Sequence, residues 1–399
     1  MQTPPVSWRR LFYQSNYFPL ALLLFLGGFY VIPDSKWHNN IYYTFLLLPF
    51  VIVYPWKTIR SRLSSPVMAT ASLLILYLML SLLWSPVEDT GDYRKAISGL
   101  YVFIFLLLGT EVLLRQPDFF ERLFHWLGWL IVITGPASIW WFYRNHPFPD
   151  ARLITLGRLD HPGWTAVMYG FVGLYHFLGI LQTRDSSWRR WLPSSLAALV
   201  ALVVMLLGQS RGVLAALLIT LLIGALLIRQ WRYWLLLALL TMVFFLLVLW
   251  WDVDLLRIIN RGSWDSFRLE IWRQAVALIW QSPVLGYGIL EDHSYITSNG
   301  RTHPHPHNIL LAACLYGGVF AGSLLLFLLV LVLYQGWLFW GRNQDIRPLL
   351  ITIFGLVYMM TDDYKILSSP WPNWLYFWLP VVWAINHEHC LMTHKQHFH

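Results

Sequence analysis

The chain has 399 residues, of which 57% are hydrophobic and only 12% charged, against the roughly one quarter of charged residues in soluble domains. That composition excludes a soluble enzyme on a single anchor, and the long continuous apolar runs exclude a transmembrane barrel, whose strands alternate. The formal charge of +8, from 28 Lys and Arg against 20 Asp and Glu, fits basic cytoplasmic loops better than a nucleic-acid surface, so no nucleic-acid partner is expected.

In chain order, apolar stretches bounded by charge, Pro or Gly fall at about 14–33, 41–56, 67–84, 96–114, 123–143, 163–182, 192–209, 213–229, 232–251, 308–334, 346–361 and 371–387. At about 20 residues per crossing, about 12 transmembrane helices are expected. The fold class is therefore all-α, a polytopic membrane protein surrounded by membrane lipids. Arg9 and Arg10 precede the first stretch, and Pro33 to Asn40 lacks a small-x-small cleavage signature, so that helix is expected to stay. Placing the N-terminus inside makes the loops with Lys57, Arg60 and Arg62, with Arg184, Arg189 and Arg190, with Arg229 and Arg232, and with Arg342 and Arg347 cytoplasmic, and puts both termini there. Glu88, Asp89, Asp92, Asp362 and Asp363 then face outward. Cys314 and Cys390 lie too far apart in sequence to suggest a disulfide framework or a CxxC site.

Residues 252–306 break the pattern. In a chain otherwise starved of charge they hold Asp252, Asp254, Arg257, Arg261, Asp265, Arg268, Glu270, Arg273, Glu291, Asp292 and Arg301. The expected division is 1–251 with nine membrane helices, 252–307 as one large outward loop, and 308–399 with three more helices and a cytoplasmic tail. Within the loop, Phe267, Ile271, Ala275 and Leu278 repeat at helical spacing, and Ser282-Pro283 and Gly286-x-Gly288 follow, which predicts a short amphipathic helix and a turn. A smaller outward loop, 144–162, carries Arg144, Arg152, Arg158, Asp160 and His161. Polar loops of this kind are where chemistry is to be sought.

No GxxxxGK[ST] phosphate cradle occurs. His303-Pro304-His305-Pro306-His307 brings three imidazoles together, but alternating prolines favour an extended chain and no HExxH accompanies them, so neither metal nor another cofactor is expected. The run of His387, His389, His394, His397 and His399 reads as a disordered tail. Arg211 lies between two apolar runs. It either snorkels at a helix end or faces a polar cavity and an anion. Arg268 and Arg273, five positions apart, should face different ways on a helix, and Glu270 is placed to pair with Arg273. His307 sits at the mouth of the next membrane helix, either as an interfacial residue or as a general base for a hydroxyl. Arginines able to clamp a diphosphate, with a histidine able to activate a hydroxyl, describe a transferase with a lipid diphosphate leaving group.

The stretch Gly208-Gln209-Ser210-Arg211-Gly212, the stretch Arg268-x-x-x-Trp272-x-x-Ala275 running to Pro283-x-x-Gly286-x-Gly288, and His307-Asn308 followed after nine residues by Gly318 together resemble the O-antigen ligase and polymerase superfamily. The last of these resembles the ligase signature in particular, although the position three residues after Gly318 is Ala321 rather than glycine. The resemblance implies a GT-C-like integral glycosyltransferase of the bacterial inner membrane with its active site facing the periplasm. It would move a polysaccharide from undecaprenyl diphosphate to the outer-core sugar of lipid A-core, without metal. It also implies that Arg211 and Arg268 hold the diphosphate and His307 deprotonates the acceptor. Arg158, Arg273, Arg301, His303 and Asn308 are further candidates for contacts to substrate, and His303 or His305 could share the role of His307. An O-antigen polymerase, a protein O-oligosaccharyltransferase and a lipid-linked oligosaccharide flippase are the alternatives.

Overall fold

The computed structural model describes residues 8–86, 93–182, 188–229, 267–291 and 293–396, with isolated positions between 231 and 242. The expected helix at 232–251 and the first part of the polar loop, with Asp252, Asp254, Arg257, Arg261 and Asp265, lie largely or wholly outside these residues. So do Glu88, Asp89, Asp92, Arg184, Arg232, Asp292, His397 and His399.

The described residues are almost wholly helical. In chain order the α-helices are α1 (Trp8–Gln14), α2 (Tyr17–Gly28), α3 (Ser35–Ile41), α4 (Leu48–Val53), α5 (Ile59–Arg62), α6 (Pro66–Leu80), α7 (Tyr93–Arg115), α8 (Phe119–Tyr143), α9 (Pro162–Gln182), α10 (Trp188–Gly208), α11 (Arg211–Ile228), α12 (Arg268–Gln281), α13 (Ile309–Asn343), α14 (Arg347–Asp362) and α15 (Leu379–Gln396). One two-residue antiparallel pairing, β1 (Tyr295–Ile296) with β2 (Thr302–His303), pins the loop between α12 and α13. Seven helical segments among the described residues are long and apolar enough to cross a membrane: Pro66–Trp84, Ile97–Arg115, Phe119–Tyr143, Pro162–Gln182, Trp191–Gly208, Arg211–Ile228 and Ile309–Asn343. The protein is thus a polytopic all-α membrane protein. Among the described residues, the other expected stretches carry shorter or interrupted helices, such as the 12 residues of Tyr17–Gly28. Two contain wide π turns, Tyr42–Leu47 and Trp374–Trp378. Each ends two residues before a proline, Pro49 or Pro380, whose missing N–H removes an i→i−4 bond and lets the preceding turn widen.

The inward faces form one continuous core from Phe18 to Ile385. A satellite of Ile271, Ala275, Tyr295 and Leu315 lies under α12, so this helix buries one stripe and rests on the end of α13 rather than crossing the bundle. What locks it there is a break in α13. Gly317 and Gly318 leave helical geometry (φ −135°, ψ 23° and φ 65°, ψ −168°), which frees carbonyls and an N–H that would otherwise bond within the helix. The turn after α12 takes them up. Tyr287 and Gly288 donate backbone N–H bonds to the Leu315 and Tyr316 carbonyls (2.7 and 2.9 Å), and Val319 donates to the Pro283 carbonyl (2.8 Å). The Tyr77 hydroxyl donates to Gly317 (3.0 Å). A Cβ on Gly318 would lie 2.0 Å from the Val284 carbonyl oxygen, which explains why only glycine fits there.

At the bundle end away from α12, the C-terminal segment departs from the disordered tail expected from its histidines. It continues α15 to Gln396. His387 and His389 are buried; His387 Nδ1 meets Gln335 Oε1 at 2.9 Å, and the Ser65 hydroxyl donates to Glu388. Buried polar partners supplied by α6 and α13 make this stretch part of the bundle, which composition alone does not reveal.

Candidate functional site

Arg211, Arg268 and His307 each stand at the start of a helix, and each start is made by a non-glycine residue in the left-handed region. Gln209 (φ 47°) precedes Ser210 and α11, Phe267 (φ 61°) is the N-cap of α12, and His307 (φ 52°) precedes Asn308, the N-cap of α13. Such conformations cost roughly 1–3 kcal/mol each for a residue with a side chain. Here the starts of α11 and α12 line one cavity of about 360 Å³, and the start of α13 adjoins it through the contact of His307 with Asp362. Its lining includes Arg152, Arg211, Arg268 and Arg301, together with His161, His303 and a single carboxylate, Asp362. Helix N-termini carry partial positive charge and unpaired N–H groups, so they add to the attraction four guanidinium groups exert on an anion.

Asp362 ties the site together, and the sequence reading placed it only as an outward-facing charge. It sits at the C-terminal end of α14, where its Oδ1 accepts from Arg268 Nη2 at 3.0 Å and meets His307 Nδ1 at 3.1 Å. Arg268 Nε also donates to the Thr361 carbonyl, so the guanidinium is held at two points. Side-chain exposure of 21% for Arg268 and His307 and 13% for Asp362 leaves these groups sheltered but reachable. The helix start beside them is fixed by Asn308. Its Oδ1 accepts from the N–H groups of Leu310 and Leu311 (3.0 and 3.1 Å), and its Nδ2 donates to the Met360 carbonyl (3.0 Å). The Trp272 indole, one helical turn from Arg268, donates to the Pro306 carbonyl (3.0 Å). The Arg-x-x-x-Trp spacing therefore sets an arginine in the cavity and pins the chain just before His307. On the far wall Gly163 allows close approach, since a Cβ there would meet Asp362 Oδ2 at 2.9 Å.

The neighbouring imidazoles are held toward the neutral form. Burial pushes His305 down to about 3, with His307 adding to the effect. Burial and then His307 lower His303. His161 is also lowered by burial, against the pull of Asp362. His305 stacks on Tyr364 (centroids 4.0 Å, planes 10° apart) and touches the His307 ring (4.0 Å), which makes it a lateral support for His307.

The other sequence candidates separate. Arg301 and His303 join the first cavity. Arg273 is exposed on α12, and its expected ion pair with Glu270 is absent: Glu270 instead accepts from the backbone N–H and hydroxyl of Ser298 (2.7 and 2.9 Å). Bonds to the loop across from α12 outcompete a solvated pair on one helix. Arg158 is buried at 7% exposure and lines a second cavity of about 400 Å³ with Lys95, Tyr364, Lys365, Ser368 and Trp371. Arg152, His161 and Asp362 are the titratable members of the first cavity that sequence reasoning left out of the site. A carboxylate doublet, Asp362-Asp363, closing an apolar run in a charge-poor chain was the available signal for the last.

Fold and site together define a multi-pass helical membrane protein with a cation-lined, anion-attracting cavity beside a histidine–aspartate pair. Residues 196–328, which contain Arg211, Arg268 and His307, match the family described as O-antigen ligase. Over 380 residues the chain is 29% identical to an O-antigen ligase of Pseudomonas aeruginosa, a match covering 91% of this chain and 88% of that one. The chain is thus similar to O-antigen ligases both in the segment that holds these three residues and over most of its length.

Proposed function

We propose that the protein transfers a polysaccharide from undecaprenyl diphosphate to the outer-core sugar of lipid A-core at the periplasmic face of the bacterial inner membrane. The observation that carries this reading is the cavity lined by Arg211, Arg268 and Asp362, the carboxylate that meets His307 Nδ1 at 3.1 Å. The diphosphate is the anion that such a set of guanidinium groups and helix N-termini attracts. With His307 Nδ1–H donating to the Asp362 carboxylate, Nε2 keeps its lone pair and serves as general base. It takes the proton of the acceptor hydroxyl as that oxygen attacks the anomeric carbon. The bond from the anomeric carbon to the diphosphate oxygen breaks in the same displacement, the anomeric centre inverts, and Arg211 and Arg268 stabilise the departing charge.

The test is a purified assay with lipid-linked polysaccharide and lipid A-core. Arg211→Ala and His307→Ala should each remain inserted and abundant yet make no product, and a chelator should leave the wild-type rate unchanged. Full transfer by either variant overturns the scheme, and strict metal dependence redirects attention to the His303–His305–His307 cluster. Lengthening of lipid-linked repeats with no transfer to lipid A-core would make the activity a polymerase instead.

A further inference from the structure

The second cavity has the makings of a binding site that the reaction scheme does not use. Arg158 and Lys365 both line it, and both approach one indole: Lys365 Nζ lies 3.7 Å and Arg158 Cζ 5.3 Å from the Trp371 ring centre. Arg158 donates through Nη1 to Asn39 Oδ1 (2.6 Å), a neutral partner. Its Nε is buried without a hydrogen-bond partner, and so is the Ser368 hydroxyl on the same cavity wall. The nearby carboxylates act on the pair from a distance, Asp160 and Asp34 on Arg158 and Asp363 on Lys365, and no ion pair forms with them among the described residues. Asp363 is engaged by the Tyr376 hydroxyl (2.7 Å) and by the N–H groups of Tyr364 and Lys365 (2.7 and 3.1 Å); Asp160 is exposed. Burial lowers Arg158 to about 10 and lowers Lys365 as well, so both cations stand where an incoming anion relieves an unfavourable environment. A buried donor left without a partner costs about 1–3 kcal/mol, which a ligand oxygen can recover.

The position of this cavity is as informative as its charge. Four consecutive residues join it to the first: Asp362 lines one cavity, and Tyr364 and Lys365 line the other. Tyr364 is the ring on which His305 stacks, and His305 in turn touches His307. A group bound at Lys365 is therefore separated from the base by one stack of aromatic rings.

Resting on the ligase reading, we propose that this second cavity is the acceptor subsite and that Arg158, Lys365 and Ser368 grip an anionic group, phosphate or carboxylate, on a sugar near the hydroxyl to be glycosylated. The first cavity then holds the donor diphosphate, and His307 stands between the two substrates. No bond is made or broken in the second cavity; its contribution is to place the attacking hydroxyl.

The experiment measures steady-state transfer by the full chain in detergent, varying lipid A-core and lipid-linked donor separately. Lys365→Glu should raise the acceptor KM by about ten- to a hundredfold, the range of one charge-assisted contact, with donor KM and thermal stability close to wild type. Lys365→Arg should restore the acceptor KM. Enzymatically dephosphorylated lipid A-core should raise the wild-type KM and be indifferent to Lys365→Glu if the group is a phosphate. If dephosphorylation leaves the wild-type KM unchanged while Lys365→Glu still raises it, the group is a carboxylate and the subsite stands. Unchanged acceptor KM in both Lys365→Glu and Ser368→Ala overturns the subsite while leaving the ligase reading intact. Absence of wild-type transfer to any form of lipid A-core overturns the ligase reading and this inference with it.

Discussion

Asp362→Asn isolates the carboxylate on which Arg268 and His307 converge, with almost no change in shape. The wild-type oxygen accepts from Arg268 at 3.0 Å and pairs with His307 Nδ1 at 3.1 Å. Two charge-assisted contacts at roughly 1.5–3 kcal/mol each become neutral ones. The larger effect is on proton placement. An amide can turn its N–H toward Nδ1, which moves the imidazole proton to Nε2, the nitrogen required to accept one. Loss of a general base costs about 10²–10⁴ in rate, so kcat should fall by roughly that factor. Donor KM should also rise, because Arg268 exchanges its ion pair for a weaker bond to an amide oxygen or, where the amide turns its N–H inward, keeps only its bond to the Thr361 carbonyl. The assay is initial-rate transfer in detergent with thermal unfolding as the control; the ion pair is only partly sheltered (21% and 13% exposed), so a stability loss of about 1–3 kcal/mol is expected. A folded Asp362→Asn protein with wild-type kcat would refute the assignment of His307 as a base oriented by this carboxylate.

Gly318→Ala should destabilise the protein by about 1–3 kcal/mol from backbone strain alone, before the contact with Val284 is counted, and lower thermal stability and proteolytic resistance near α12 would register it. Asn308→Ala removes the N-cap of α13 and its tie to Met360, so unfolding should be easier by about 0.5–2 kcal/mol, with kcat reduced further because His307 loses its anchor; unaltered kcat would show that His307 is positioned by other contacts. For pH, His305 is held at about 3 in the fold against about 6.5 unfolded. The unfolded chain thus binds the extra proton first, and the contribution of His305 to stability is complete above about pH 6.5 and lost as pH falls toward 3. His305→Phe, which keeps a ring on Tyr364, should therefore lose less thermal stability than wild type between pH 7 and pH 5, with other buried histidines, His161 and His303 among them, sharing the remainder of the decline. An identical decline in both proteins would contradict this.

Much of the site was legible because its motifs are helix starts. Arg211, Arg268 and His307 each follow a short polar break ahead of a helix, and segments of that kind are forced to a bundle end where they can meet. The helical spacing of Ile271 and Ala275 likewise foreshadows the buried stripe of α12. What sequence left open was decided by contacts across long separations. Asp362 belongs to His307 only because Asn308 ties the two helix ends together, and Arg158 enters another cavity because its backbone N–H bonds to the Phe29 carbonyl. Glu270 turns to Ser298 for the same reason. Among the described residues the apolar runs marked where helices lie, but not that prolines would widen some turns or that α13 would run on to Asn343.

The interruption at Gly317–Gly318 has a mechanical consequence. At 1.5 Å per residue, an unbroken α13 would be a rod of about 50 Å, longer than the roughly 30 Å of hydrocarbon it must cross, and any adjustment of its tilt would swing His307. As built, the short stub bearing the site is fastened to the α12 turn by two backbone bonds, at the Leu315 and Tyr316 carbonyls, a third at Val319 holds the pivot, and the portion beyond Gly318 is long enough to cross the bilayer by itself. Lipids of different thickness can lean that lower portion without dragging His307 and its neighbours, so the proposed site is insulated from the membrane that holds it.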